Sequence, residues 1–281
     1  MQRTWSQAAL APDAPSGGAI AGAGPFLSCR PSSFGSARAG AYRHLAAWGV
    51  RYVEIPLPEA SAAAAALREL SAHGLRCGSL QVPFDPEDPG ALHAVEEAAR
   101  RSHDEFGCAF LFTSVHSGAQ GREHACAVLR RAGDAVGRHG VTLLLETHPD
   151  LGTNGAVAAA TMRDVDHPYV RSNWDPANVF YYNENCDAAT EFDRAFPFIG
   201  GLHLKDSGGG YRAWDFGALG DGVVPFGYLL RRLTESEFAG PCTMEIEGVE
   251  GEKLTPDAFV ARVQKSVDYL RRLGYFPPLP A

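Results

Sequence analysis

Four times in its first half the chain repeats one order: a helical stretch, a glycine, then an apolar run. The segments are AAWG-VRYVEI, SAHG-LRCGSL, DEFG-CAFLFT and GRHG-VTLLLE, with glycines at 49, 74, 107 and 140. Glycine takes the left-handed conformation that closes a helix without steric cost, and an apolar run starting at once implies a short connection into a strand. The glycines stand 25, 33 and 33 residues apart (74−49, 107−74, 140−107), which suits a strand plus a crossover helix. The apolar runs are near-continuous rather than alternating, the pattern of parallel strands covered on both faces. Strand and helix in alternation then imply a parallel α/β fold.

The stretches between have amphipathic spacing: Leu92, Val95, Ala99 and Phe106 in one, Ala125, Val128, Leu129, Ala132 and Val136 in the next. Strands are expected at 26–29, 52–55, 77–82, 108–115, 141–146, 170–174, 199–204 and 242–246. A last helix is marked by Thr255 as cap, Pro256 at its first position, an apolar face of Phe259, Val260, Val263, Val267 and Leu270, and Gly274 as its stop. Eight strands, each followed by helix over roughly 250 residues, fit a single (β/α)8 TIM barrel better than a doubly wound sheet. The barrel is expected over residues 25–281, preceded by an Ala/Gly/Pro-rich, flexible extension at 1–24.

Composition narrows the function classes. The formal charge is −8, from 33 acidic against 25 basic residues, with no Lys/Arg-rich block, so the electrostatic footprint of a duplex-binding protein is missing and no nucleic-acid partner is expected. No apolar stretch approaches the ~20 residues that cross a bilayer, and Pro and Gly interrupt the N-terminal segment, a weak signal-peptide pattern. A cytoplasmic protein without a membrane partner is the expectation. The six cysteines have no CxxC pair, and they read as reduced, structural residues.

The chemistry lies where the later apolar runs stop. Leu143-Leu144-Leu145 stops at Glu146, the run 170–174 at Asp175, 199–202 at His203, and Cys242-Thr243-Met244 at Glu245. In a barrel the C-terminal strand ends form the active face, and neighbouring strands lie ~4.8 Å apart. Four adjacent strand ends can therefore surround one ion. Three carboxylates sharing a site without a cation would force one to take up a proton, and a divalent ion removes that conflict. Three oxygen donors and one imidazole suit Mn2+, Mg2+ or Co2+, with Zn2+ or Fe2+ as alternatives. Each residue alone has an ordinary reading as a surface acid, a core histidine or an edge charge. Glu247, in phase with Glu245, is its rival for the fourth ligand position. His148 and Lys205 lie two residues beyond Glu146 and His203 and would point the same way if the strands continue. His116 ends the fourth strand; all three are candidate substrate contacts, or else solvated or paired residues.

These motifs, LLLETH, SNWDPANV, GGLHLKD and GPCTMEIEG, with the Leu219-Gly220-Asp221-Gly222 turn, resemble the xylose isomerase-like TIM-barrel superfamily of sugar phosphate isomerases and epimerases, over about residues 25–275. The resemblance implies one divalent metal held by Glu146, Asp175, His203 and Glu245. It also implies Glu146 and Glu245 as the proton-transfer pair, with a carbohydrate or polyol ketone as substrate, reacting through an enediolate. Return of the proton to the opposite face gives epimerisation; return to the neighbouring carbon gives isomerisation. An inosose dehydratase-like loss of water is the rival reaction. An endonuclease IV-like phosphodiesterase would need further ligands for three metals, and a non-catalytic binding barrel is a remaining alternative.

Two positions depart from the free-ketose 3-epimerases. Gly201 stands where those carry a second histidine, and Asn178, counted among the substrate-binding candidates, replaces another. The glycine-rich stretch 207–222 reads either as a mobile lid with Arg212 as a phosphate contact or as a solvent loop. Tyr181 and Tyr182 read either as an apolar wall or as a homo-oligomer contact.

Overall fold

The computed structural model describes residues 24–279, and the expected extension, Gly24 apart, lies outside them. Eight parallel strands close into a barrel in chain order: Phe26–Cys29, Tyr52–Pro56, Arg76–Gln81, Phe110–Thr113, Thr142–Glu146, Val170–Trp174, Ile199–Leu204 and Pro241–Met244. These are numbered strands one to eight below. Strand eight pairs with strand one, Ser28 opposite Thr243 and Cys29 opposite Met244, which completes the cylinder. Helices cover the outside.

The repeat behaves as its chemistry requires. Gly49, Gly74, Gly107 and Gly140 have φ of 68°, 63°, 58° and 66°, each turning a helix end into the next strand. Val95 and Ala99 are buried on one helix, and Ala125, Val128, Leu129, Ala132 and Val136 on the next. In the last helix, Pro256–Arg272, Thr255 accepts a hydrogen bond from the Ala258 N–H, and Val263, Val267 and Leu270 are buried. Its Phe259 ring packs against Gly35, where a Cβ would lie 2.5 Å from the ring.

Strand five begins one residue later than expected, and strands four and eight are shorter because side chains take over an end of each. Strand four begins at Phe110 rather than 108: the Cys108 N–H donates to the Ser102 carbonyl, and Ser102 Oγ donates to the Cys108 carbonyl. Strand eight stops at Met244, and the Ile246 N–H donates to Ser33 Oγ at 3.0 Å. Glu245 still continues the ladder, its N–H donating to the Leu204 carbonyl at 3.1 Å.

Phe112 marks the barrel interior. Its ring centroid lies 4.7 Å from that of His203 and 4.7 Å from the guanidinium carbon of Arg30. Strands four, seven and one are not neighbours, so these contacts cross the barrel. The six cysteines are free. Among the described residues no helix is long and apolar enough to cross a membrane.

The stretch 207–222 is tied down rather than left as a free flap. The Asp206 carboxylate, 1% exposed, accepts from the N–H groups of Ser207, Gly220, Gly222 and Val224 at 2.7–3.2 Å. Farther out, Asp215–Phe216 pairs antiparallel with Gly248–Val249. Both ends of the loop thus meet at one carboxylate, and its middle is stapled to the connection after strand eight.

Candidate metal centre

The four strand-end residues converge. Glu146, Asp175, His203 and Glu245 each offer a ligand atom, and these atoms all lie within 4.8 Å of one another. They follow strands five to eight, which are consecutive neighbours in the barrel.

Asp175 shows how local sequence builds the site. It is the N-cap of the helix Pro176–Tyr182, and its Oδ1 accepts from the Ala177 and Asn178 N–H groups at 2.9 and 3.0 Å. A proline at the first helical position and a capping aspartate just before it form a common helix start. With Oδ1 occupied, Oδ2 is buried and has no hydrogen-bond partner. Burial pushes the Asp175 carboxyl up from its ordinary pKa, and the nearby Lys205 charge pulls it back only in part.

His203 is fully buried, with Nε2 at 3.3 Å from Glu54 Oε1. Its Nδ1 faces the cluster, 3.0 Å from Glu245 Oε2 and 4.0 Å from Glu146 Oε1. Glu245 is buried and ion-paired to Arg30. Glu146 is half-buried, and Ser114 Oγ donates to its Oε2. His203 Nδ1 and Glu245 Oε2, like Asp175 Oδ2, are buried without a hydrogen-bond partner. Buried polar atoms normally find partners. Three orphan acceptors on adjacent strands, facing one point, fit a divalent cation.

Lys205 sits beside the cluster, 3% exposed, with Nζ 3.7 Å from Asp175 Oδ2, 3.6 Å from Glu245 Oε2 and 3.2 Å from Asn178 Oδ1. It is also ion-paired to Glu247 and lies 4.3 Å from the centroid of the Phe216 ring. Glu247 therefore meets the lysine, and Glu245 stands in the cluster. Asn178 Nδ2 donates to the Thr147 carbonyl, so this residue braces Lys205 and the chain after strand five.

Strand five ends at Glu146, and the chain bends before His148. His148 nevertheless stays at the rim, edge-on to His116 at 4.7 Å and to Tyr182 at 5.2 Å. Tyr182 continues to Tyr181 at 5.1 Å, and Tyr181 to Trp214 at 6.0 Å. These rings form an arc from strand four to the glycine-rich loop. Arg212 lies on that loop, its guanidinium 5.1 Å from the Tyr211 ring centroid.

Gly201 has a steric reason. A Cβ there would lie 2.5 Å from Asn173 Oδ1 and 2.7 Å from Leu144 Cδ1. The room that another side chain would need is taken by the neighbouring strands.

Arg30, Glu54, Ser79 and Ser114 also stand at the site, although none is among the residues expected there. Glu54 is 3% exposed and accepts from Arg30 Nε and Ser79 Oγ, both at 2.5 Å. Burial opposes its ionisation, but Arg30 and then His203 hold its carboxyl well below the usual carboxylate range. The signal was present: FLSC stops at Arg30, and Glu54 interrupts the apolar run YVEI.

The profile of the xylose isomerase-like TIM barrel family matches residues 42–273. No protein of curated function matches the chain significantly by sequence. Among solved structures, the D-allulose 3-epimerase of Methylomonas sp. in complex with D-allulose superposes with a TM-score of 0.68 at 20% identity, covering 89% of this chain and 97% of that one. The probable 3-DHS dehydratase AsbF of Bacillus anthracis gives 0.67 at 17% identity, covering 88% and 98%. A xylose isomerase-like TIM barrel protein of Mycobacterium smegmatis in complex with magnesium gives 0.67 at 18%, covering 84% and 87%. At these identities the likeness is one of fold. Together with the profile match over most of its length, it shows that this chain belongs to the xylose isomerase-like TIM barrel family.

Proposed function

We propose that the protein is a divalent-metal-dependent isomerase or epimerase of a sugar, sugar phosphate or related polyol ketone, working through an enediolate. The observation that carries this reading is the order of the site. Glu146 and Glu245, from strands five and eight, flank Asp175 and His203 from the strands between. A substrate seated over the centre thus has a carboxylate on each side.

A divalent cation held by Glu146, Asp175, His203 and Glu245 would supply Lewis-acid polarisation of the substrate carbonyl. Glu146, half-buried at the rim and bonded by Ser114 Oγ, is placed to take the proton from the carbon beside that carbonyl. Glu245, tied to Arg30, is placed to return a proton on the other face. Return to the same carbon inverts it; return to the adjacent carbon moves the carbonyl. Lys205 is held where it can donate to a substrate oxygen, and the arc His148–Tyr182–Tyr181–Trp214 offers ring faces to a sugar's C–H edges. Arg212 is the proposed contact for a phosphate when the substrate bears one.

Dehydration of a keto-polyol is the second reading, favoured by the His116–His148 pair at the rim. After the same proton removal, an imidazole there could protonate a departing β-hydroxyl, so that C–O cleavage releases water and leaves an enone.

A panel of ketoses and keto-polyols incubated with metal-loaded protein in deuterated water tests both. Deuterium at the carbon next to the carbonyl is expected, lost in Glu146→Gln; an absorbing enone would identify the dehydratase. No exchange with any substrate would leave a binding role instead.

A further inference from the structure

Strands one to three place no residue in the ligand cluster, yet Arg30 just after strand one, Glu54 within strand two and Ser79 within strand three form a buried charge network pressed against it. Glu54 Oε1 receives Arg30 Nε at 2.5 Å and lies 3.3 Å from His203 Nε2, while Oε2 receives Ser79 Oγ at 2.5 Å. A carboxylate only accepts hydrogen bonds. With Glu54 ionised against Arg30, the proton of a neutral His203 ring belongs on Nε2. The lone pair is then on Nδ1, the atom that faces Glu146 and Glu245 and has no hydrogen-bond partner.

Arg30 couples this arrangement to a second ligand. Its Nε holds Glu54, its Nη1 pairs with Glu245, and its guanidinium lies over the Phe112 ring, which also packs against the His203 imidazole. The two ligands on strands seven and eight are thereby fixed from strands one and two. Two fixed points on one aromatic floor limit rotation of both side chains.

Resting on the metal-centre reading above, we propose that Glu54 and Arg30 are positioning residues: Glu54 sets the His203 tautomer so that Nδ1 is the ligand atom, and Arg30 aims Glu245. Outer partners of this kind typically govern metal affinity by roughly 10- to 100-fold. Neither residue needs to touch substrate to do so.

The test uses the full-length protein and Co2+ as probe, titrated against a chelator of known affinity, with the Co2+ absorption spectrum and the metal-free melting temperature recorded in parallel. Glu54→Gln can keep an oxygen toward Arg30 and His203 with its N–H2 on the Ser79 hydroxyl, but it replaces the charged acceptor of the His203 ring N–H by a weaker, neutral one, so roughly 10- to 100-fold weaker Co2+ binding and an altered spectrum are expected. Arg30→Lys, which keeps the charge but not the two-pronged geometry, should retain only part of the affinity, and full affinity in it would overturn the role given to Arg30. Co2+ affinity and spectrum of Glu54→Gln matching the unsubstituted protein would overturn the proposal alone. An unsubstituted protein that binds no divalent ion would overturn the metal centre and this proposal with it. A readout free of any folding defect is the long-range 15N–1H spectrum of histidine-labelled, Zn2+-loaded protein without substitutions. His203 is expected to carry its proton on Nε2, and a proton on Nδ1 would overturn the assignment.

Discussion

His203 Nδ1 stands 3.0 Å from Glu245 Oε2, yet both atoms lack a hydrogen-bond partner. Proximity without a hydrogen bond is what two lone pairs directed at a shared cation would show. Metal should therefore stabilise the fold. At a hundredfold excess over its Kd a ligand adds ~2.7 kcal/mol, roughly 5–10 °C in Tm for a domain of this size. Differential scanning fluorimetry before and after chelation reads the shift, and elemental analysis should give one metal per chain, against three for an endonuclease IV-like site.

Lys205 is buried among Asp175, Glu245 and Glu247. Lys205→Met removes a positive partner shared by three carboxylates while keeping the length of the side chain, and leaves Arg30 on Glu245 alone. Removing one member of a buried ion pair costs about 3–5 kcal/mol, so denaturant unfolding of the metal-free variant should show a loss of that order. Saturating metal should restore part of it, because the ion neutralises two of the same carboxylates.

Asp206 Oδ1 accepts from Ser207 and Val224, and Oδ2 from Gly220 and Gly222. In Asp206→Asn either amide orientation sets the N–H2 group against two N–H donors. A cost of about 2–3 kcal/mol follows, concentrated at the root of the glycine-rich loop. Limited proteolysis should cut within 207–222 faster than in the parent, with kcat/KM reduced.

Gly201→His, which would restore the histidine of ketose 3-epimerases, should not create their site. Its Cβ would strike Asn173 and Leu144, and overpacking of this kind costs about 1–3 kcal/mol. A lower denaturation midpoint is expected, with no gain in exchange on free ketoses.

Burial pushes the Cys29 thiol up to about 12 and Cys108 up to about 11, against ~8.5 for a free thiol. Above that value the unfolded chain releases protons that the folded chain retains. Stability is therefore full below pH ~8.5 and declines as pH rises toward the folded values. Thiol labelling at pH 8 should modify the half-buried Cys186 first, and the five buried cysteines only on unfolding.

The fold was legible because its signals are local. Helix stops at Gly49, Gly74, Gly107 and Gly140, continuous apolar strands and the Thr255-Pro256 start each depend on a few adjacent residues, and repetition in a fixed order leaves little but a barrel. Glu146, Asp175, His203 and Glu245 were legible for the same reason, since a charge ending an apolar run can be seen without a structure. Past the strand ends the outcome was mixed: Lys205 stays beside the cluster, but the chain bends before His148, and that the loop 207–222 is rooted on Asp206 has no local signal.

The barrel, its alternation of strand and helix, and the strand ends that carry carboxylates and imidazole can all be read along the chain, because backbone geometry and apolar periodicity operate over a few residues. It took the folded arrangement to show that Glu245 rather than Glu247 joins the cluster, that Lys205 takes Glu247, and that Arg30 and Glu54 stand behind Glu245 and His203. Those choices depend on side chains meeting across the barrel, where distance along the chain gives no guide to distance in space.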